Sequence, residues 1–179
     1  QQGGGGGGGG GGQMAEDLRL AAAAEPVVRF FKWAPPAVSL GWKQHAPAWI
    51  GALPPAQVVE RPTGGALALH GSDLSMALIV PRGPATSLHA LLTAAASSAV
   101  QLCRSYGVLA QPLWETAART PLTYCLAEAS PYAVCVGARK VAGFAARRFP
   151  DSCLVQGSIL IRPIEQALAR VMPPTVTQQ

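Results

Sequence analysis

Two adjacent glycines, Gly64 and Gly65, stand between an arginine and a histidine in the segment ERPTGGALALH. Glycine reaches positive φ without steric cost, so the pair could form the turn of a β-hairpin. The missing side chains could equally leave room for a ligand to lie directly against the main chain. Arg61 and His70 frame the pair, and these residues alone leave both interpretations open.

The four cysteines have no spacing typical of a metal site or a disulfide framework. Cys103, Cys125, Cys135 and Cys153 include no CxxC pair, and no histidine cluster lies near them. This pattern argues against a structural metal and favours reduced thiols in a cytoplasmic protein. We see no secretory signal and no apolar run of the ~18 residues needed to span a bilayer, so we expect no membrane association.

The charge pattern indicates a mildly basic surface. The net charge is +5, and the basic residues are scattered except for the pairs Arg139-Lys140 and Arg147-Arg148. This charge is compatible with an acidic binding partner. The sequence contains no recognisable nucleic-acid-binding motif beside the basic residues. The 179 residues, 49% of them hydrophobic, suffice for one domain with a substantial core.

The periodicity of the chain predicts more strands than helices. We expect a disordered glycine-rich tail over residues 1–13 and a single folded domain over residues 14–172. Helices are predicted near 14–24, over 87–106 with Ser87 as N-cap and Gly107 after its end, and near 164–172. Apolar alternation predicts strands near 27–33, 37–42, 57–60, 66–70, 74–80, 132–136, 139–146 and 153–161. Segregated helices with these strands favour an α+β fold whose sheet is mixed and mostly antiparallel.

Four sequence blocks resemble the lipoate/octanoate attachment family, which includes octanoyltransferases, lipoate–protein ligases and, more distantly, biotin–protein ligases. The blocks are QMAEDLRL, RFFKWAPPAVSLGWKQ, ERPTGGALALHGSDLS and YCLAEASPYAVCVGARKVAGFAARR with the later VQGSILI. They occur in the family's order between Met14 and Ile161. The resemblance implies the biotin/lipoate ligase (class II synthetase-like) catalytic fold.

The resemblance also implies a set of site residues. Cys125 is similar to the acyl-accepting cysteine of the octanoyltransferase branch, and Lys140 is similar to the lysine that contacts the acyl carbonyl. Such a lysine can stabilise charge on that oxygen and lower the pKa of a neighbouring thiol. The other expected substrate-binding residues, which line a tunnel for the acyl chain, are Arg61, Thr63, Gly64, Gly65, His70, Gly137, Gly143 and Ala145.

Several positions depart from the family pattern. Glu60 stands where a first arginine is usual, Phe144 and Ala146 replace a serine and a glutamine, and Gln156 replaces a histidine. Phe144 is large enough to shorten or block a tunnel if its ring points inward. The chain also stops soon after the last predicted strand, where relatives carry further helices, so we expect a truncated, minimal or degenerate member.

The expected activity is transfer of octanoyl from acyl carrier protein to a lysine of a lipoyl domain through a cysteine thioester. The acceptor would be the glycine cleavage H protein or a dehydrogenase E2 component, and no cofactor would be needed. Three alternatives stay open: an ATP-dependent lipoate–protein ligase, which would use ATP and Mg, a transferase between two lipoyl domains, and a non-catalytic module that binds acyl carriers or lipoyl domains.

Overall fold

A computed structural model describes residues 9–113 and 131–163 of the chain. In this part, six strands form one large antiparallel sheet. In spatial order they are β1 (Val27–Phe31), β5 (Asp73–Pro81), β9 (Ser152–Leu160), β8 (Arg139–Arg148), β7 (Ala133–Val136) and β6 (Gln111–Leu113). The central strands β5 and β9 pair along their whole nine-residue lengths, so their register is fixed over the middle of the sheet.

A smaller mixed sheet of three strands accompanies the large one. Its central strand β2 (Ala37–Leu40) pairs in parallel with β3 (Val58–Glu60) and antiparallel with β4 (Ala68–His70). Two short 3₁₀ helices, Ala48–Ala52 and Pro55–Gln57, connect β2 to β3. Leucine, isoleucine and valine side chains from these segments form a separate apolar cluster beneath the small sheet.

Helix α1 (Gly10–Ala23) packs against the same face of the large sheet that carries Gln156 and Ser152. The helix begins four residues before the predicted start of the folded domain. A Cβ on Gly10 would lie 2.5 Å from Cζ3 of Trp33, so the absence of a side chain there lets the first turn rest on the indole.

Helix α2 (Leu88–Ser105) covers the opposite face of the large sheet. Its small residues Ala96 and Ala99 pack against Ala142 and Ile159. The hydroxyl of Ser87 accepts a hydrogen bond from the N–H of Ala90, as predicted for the N-cap. Since successive strand residues face opposite sides, the burial of Ile159 under α2 places Ser158 on the α1 face.

The predicted α+β class with a mixed, mostly antiparallel sheet is confirmed. The hairpin interpretation of Gly64-Gly65 is wrong, because β3 and β4 both pair with β2 and not with each other. The helix predicted near 164–172 lies outside the described residues. Neither α1 nor α2 combines the length and the apolarity that a membrane-spanning helix needs.

Candidate active site

A narrow pocket of about 40 Å³ opens between the α1 face of the large sheet and the small sheet. This volume is room for roughly three water molecules. The pocket is the place where strands from both sheets and the first residues of α1 meet. Its lining residues are Met14, Phe31, Trp33, Ser39, Arg61, Ala68, His70, Ser75, Met76, Gly143, Phe144, Ala145, Gln156, Gly157 and Ser158.

Arg61 holds the glycine loop from inside. Its guanidinium is buried, and Nη2 donates to the carbonyls of Gly64 at 2.8 Å and Ala66 at 2.6 Å. Nη1 donates to the carbonyl of Ser39 at 3.1 Å and to its hydroxyl at 3.2 Å. The planar fork of arginine suits four acceptors, two on Ser39 of β2 and two in the glycine loop, whereas lysine presents a single point charge. Arg61 is therefore a loop-positioning residue and not an ordinary surface arginine.

His70 is the centre of a buried polar chain. Its Nε2 lies 2.8 Å from Oγ of Ser39, and its Nδ1 lies 2.8 Å from Oδ2 of Asp73. The indole of Trp33 stacks on the imidazole with ring centroids 4.0 Å apart. Since an ionised carboxylate only accepts hydrogen bonds, Nδ1 carries the hydrogen in this pair. The chain Arg61–Ser39–His70–Asp73 thus joins a buried cation to a buried anion along one wall of the pocket.

Asp73 is held in its ionised form. Burial raises its pKa, but the hydrogen bond and charge of His70 and the hydrogen bond from Ser158 outweigh burial and lower the pKa to about 2. Oδ2 also accepts from Ser75 Oγ at 2.8 Å, and that same hydroxyl accepts from Nε1 of Trp33 at 2.8 Å. The carboxylate therefore fixes the histidine, two serines and the tryptophan that form this end of the pocket.

Small side chains make the floor of the pocket. Ser75, Ser158 and Gly143 lie opposite one another across β5, β9 and β8, so they share the α1 face of the sheet. Ala145 is two residues beyond Gly143 on the same face. This row leaves a shallow furrow beneath Trp33 and His70 whose floor carries only small side chains.

Gln156 ties α1 to the loop before the glycines. Its Oε1 accepts from the hydroxyl of Thr63 at 2.6 Å, and its Nε2 donates to Oδ2 of Asp17 at 2.6 Å. Burial raises the pKa of Asp17, although the hydrogen bonds from Gln156 and Arg29 act against it. The side chains of Thr63 and Asp17 are fully buried, so each depends on these partners.

A family comparison supplies the context for this geometry. Residues 14–179 match the lipoyl protein ligase A/B catalytic domain, which is most of the chain. The chain belongs to this family.

Sequence relatives agree with that assignment. The octanoyltransferase LipM of Exiguobacterium sp. is 34% identical over 161 residues, which are 80% of this chain and 57% of the relative. The LipM of Bacillus subtilis is 32% identical over 151 residues, covering 76% and 54% of the two chains. The chain therefore spans somewhat more than half the length of these curated relatives.

Structural neighbours share the fold at low identity. Lipoate-protein ligase A bound with ATP superimposes with a TM-score of 0.70 at 17% identity, covering 92% of this chain and 68% of the neighbour. A bi-partite lipoate protein ligase from Thermoplasma acidophilum gives a TM-score of 0.61 at 16% identity, covering 83% and 55%. The expected lipoate ligase catalytic fold is thereby confirmed.

The structure brings some residues of the family pattern together and leaves others apart. Arg61, His70, Gly143 and Ala145 line one pocket, and Thr63 reaches it through Gln156. Gly64 and Gly65 are not themselves lining residues. Gly65 has a φ of +90°, and a Cβ there would lie 3.1 Å from Nη2 of Arg61 and 3.6 Å from Cβ of Ala145, both of which line the pocket.

The structure describes Lys140 but not Cys125, the two residues that were predicted to be catalytic. Lys140 is buried near the start of β8 and is not a lining residue of this pocket. Gly137 forms the turn between β7 and β8 with a φ of +57°. Cys125 lies outside the described residues. Among the residues that are described, no group of three or more histidine, cysteine or acidic side chains could hold a metal ion.

Phe144 does not lie on the α1 face. It pairs with Gly157, and a Cβ on Gly157 would be 2.4 Å from Cδ1 of the phenyl ring. The ring therefore occupies the space that Gly157 leaves on the α2 face, where it packs with the cluster under α2 and closes that side of the pocket. The ring does not project over the α1-face floor, although Phe144 is one of the residues that line the pocket.

Sequence reasoning missed the polar residues that support the pocket. Ser39, Ser75, Asp73 and Ser158 were not assigned, yet all four are buried and bonded in the His70 network. Their signal was a polar residue at inward positions of otherwise apolar strands. Such a residue is costly to bury without a partner, so it indicates a network.

Proposed function

We propose that this chain carries the octanoyltransferase activity of protein lipoylation, moving octanoyl from acyl carrier protein to a lysine of a lipoyl domain. The similarity to octanoyltransferases at about 30% identity over most of the chain carries this proposal. The furrow floored by Gly143, Ala145 and two serines supports it, because an alkyl chain gains about 0.8 kcal/mol per methylene buried there.

The proposed reaction has two acyl-transfer steps. The thiolate of Cys125 attacks the carbonyl carbon of the octanoyl thioester, and the carbon–sulfur bond to the donor breaks as the donor thiolate leaves and takes up a proton. The neutral amine of the acceptor lysine then attacks the octanoyl-cysteine. An amide forms, the amine loses its proton, and the Cys125 thiolate is released. The thioester supplies the activation, so ATP is not required.

We assign to Lys140 the stabilisation of the negative charge that develops on the carbonyl oxygen. The lysine is about 9% exposed, and a fixed cation in a poorly solvated position interacts more strongly with an oxyanion than a surface lysine does. Arg61 and His70 would keep the wall and the loop in place while the acyl chain enters.

Intact-protein mass spectrometry tests the proposal. The protein is incubated with octanoyl–acyl carrier protein without ATP, and we expect an octanoyl adduct that hydroxylamine removes. Cys125→Ala should abolish the adduct, whereas Cys135→Ala, the matched control in β7, should keep it. An adduct of equal yield on Cys125→Ala would refute the assignment of Cys125 as the nucleophile.

The same assay separates the alternatives. Modification of a lipoyl domain only from free octanoate or lipoate plus ATP and Mg would assign a ligase. Transfer only from an octanoylated lipoyl domain would assign a transferase between two such domains. Binding of the carrier without acylation under every condition would assign a non-catalytic module.

A further inference from the structure

A serine, a histidine and an aspartate form a continuous hydrogen-bonded row in the wall of the pocket. Oγ of Ser39 lies 2.8 Å from Nε2 of His70, and Nδ1 of the same ring lies 2.8 Å from Oδ2 of Asp73. Because Nδ1 carries the hydrogen toward the carboxylate, Nε2 of the neutral imidazole is an acceptor. The hydroxyl of Ser39 therefore donates to Nε2. This is the arrangement in which a histidine activates a serine as a nucleophile.

The imidazole is held in this orientation from several sides. Trp33 stacks on it with ring centroids 4.0 Å apart and an interplanar angle of 12°. Oδ2 of Asp73 also accepts hydrogen bonds from Ser75 at 2.8 Å and from Ser158 at 2.7 Å, so the carboxylate is itself fixed. Because the ring is already oriented, proton transfer from the serine to Nε2 needs no rearrangement of the site.

A buried cation lies beside the serine oxygen. Nη1 of Arg61 donates to Oγ of Ser39 at 3.2 Å, and the arginine side chain is buried. A guanidinium in a poorly solvated position favours negative charge on a neighbouring oxygen. When Oγ forms an ester it becomes a poorer acceptor, so this N–H can turn to the carbonyl oxygen of the attached acyl group. Arg61 thus offers the charge stabilisation that a tetrahedral intermediate needs.

The pocket gives the hydroxyl access to a small acyl group. Ser39 lines the pocket, and Ala68, its partner across β2 and β4, places only a methyl group beside it on the same face. The volume of about 40 Å³ corresponds to roughly three water molecules, which is also about the size of the three heavy atoms of an acetyl group. The site therefore suits short-chain acyl esters or thioesters whose leaving group stays outside the pocket.

We propose that Ser39, His70 and Asp73 form a second catalytic site, which hydrolyses short-chain acyl esters and thioesters. Nε2 of His70 takes the hydroxyl proton as Oγ of Ser39 attacks the carbonyl carbon. The bond to the leaving alcohol or thiol then breaks, and the leaving group takes that proton. Water attacks the acyl-serine and gives a proton to Nε2. The carboxylic acid leaves as this proton returns to Oγ. Neither step uses Cys125, so this activity is independent of the octanoyl transfer proposed above.

Methanesulfonyl fluoride, a small reagent that sulfonylates activated serines, tests the nucleophile without requiring turnover. Peptide mass spectrometry of wild type should find a methanesulfonyl group on Ser39, formed with loss of fluoride. Ser105, an exposed serine whose hydroxyl donates to the carbonyl of Leu102, is the internal control and should stay unmodified. His70→Asn should slow the labelling of Ser39 about 10²-fold or more, because the general base is lost. Equal labelling rates in wild type and His70→Asn, or no label on Ser39, would overturn the proposal.

Hydrolysis of p-nitrophenyl acetate measures turnover at the same site. In a Cys125→Ala background, which removes the thiol assigned to octanoyl transfer, Ser39→Ala should lower kcat/KM about 10²-fold or more. Asp73→Asn should lower it at least about tenfold, because an asparagine can donate to Nδ1 and favour the wrong tautomer. Urea denaturation shows whether each variant is folded in the assay, and the labelling of wild type needs no variant at all.

The outcomes separate this site from the proposed function. Hydrolysis that is as fast in folded Ser39→Ala as in its parent would assign the activity to other groups and overturn the proposal. A serine that only supports the fold would lower the unfolding free energy when replaced by alanine, but wild type would carry no label on it. Labelling and hydrolysis at Ser39 in a protein that takes no octanoyl from acyl carrier protein would support this site and refute the octanoyl transfer alone.

Discussion

Acid should destabilise this protein through Asp73 by an amount that follows from the structure. Its pKa is lowered from 3.8 to about 2 in the folded chain. Between these two values the unfolded chain binds more protons than the folded one, so the unfolding free energy falls as pH falls. A shift of this size corresponds to about 2 kcal/mol of stability that is complete above pH 5 and is lost as the pH approaches 2.

Asp73→Asn isolates this contribution. The variant lacks the titrating carboxyl, so its unfolding free energy should already be lower than that of wild type at pH 6. The difference between the two proteins should then shrink by about 2 kcal/mol as the pH is lowered from 5 to 2. Burial raises the pKa of Asp17, which therefore changes stability in the opposite direction, but Asp17 is present in both proteins and cancels.

Urea denaturation followed by tryptophan fluorescence at pH 6, 5, 4, 3 and 2 provides the measurement. Asp151→Asn, which replaces an exposed carboxyl group at the β8–β9 turn, controls for loss of one acidic side chain. Ser158→Ala keeps the carboxylate but removes one donor to it, so it should reduce the pH-dependent component without abolishing it. Parallel curves for wild type and Asp73→Asn from pH 5 to pH 2 would refute the assignment.

Three other substitutions probe the pocket and its supports. Gly157→Ala should lower the unfolding free energy measured in urea by about 1–3 kcal/mol, because its Cβ meets the Phe144 ring at 2.4 Å. Adding Phe144→Ala to this variant should relieve the clash. Gly51→Ala is the control, because a Cβ at Gly51 has no neighbour within 4 Å. Gln156→Leu should lower the unfolding free energy by about 2–3 kcal/mol, which appears as a lower urea midpoint. Gln156→His, which can donate and accept a hydrogen bond, should keep most of the stability. Ala145→Leu should slow acylation by octanoyl thioesters at least about tenfold relative to butyryl thioesters, and equal slowing of both would contradict an alkyl furrow.

The sequence predicted the elements better than their pairing. Period-two alternation located eight of the nine strands in the described residues, and Ser87 located the start of α2, because both signals are local; the three-residue strand β6 was missed. The hairpin interpretation of Gly64-Gly65 failed because β2 inserts between β3 and β4, and this insertion depends on contacts some twenty to thirty residues away in the chain. A turn signal shows that the chain bends but does not show which strand each arm will join.

The candidate site was predictable where residue type is unusual and unpredictable where it is ordinary. Arg61 and His70 stood out beside the glycines, and both lie in the pocket. Ser39 and Ser75 did not stand out, because serine is common in strands that face water. Their importance comes from burial opposite His70 and Asp73, which only the assembled sheets create.

The departures from the family pattern alter how the pocket is supported and leave its floor intact. A histidine at position 156 could offer one donor and one acceptor, and Gln156 offers the same two groups to Asp17 and Thr63. The glutamine does so without a titratable proton, so this link between α1 and the glycine loop does not respond to pH through position 156. Phe144 fills the α2 side of Gly157, while the furrow at Gly143 faces α1. Neither substitution therefore places a bulky side chain on this floor, and neither by itself indicates a degenerate member of the family.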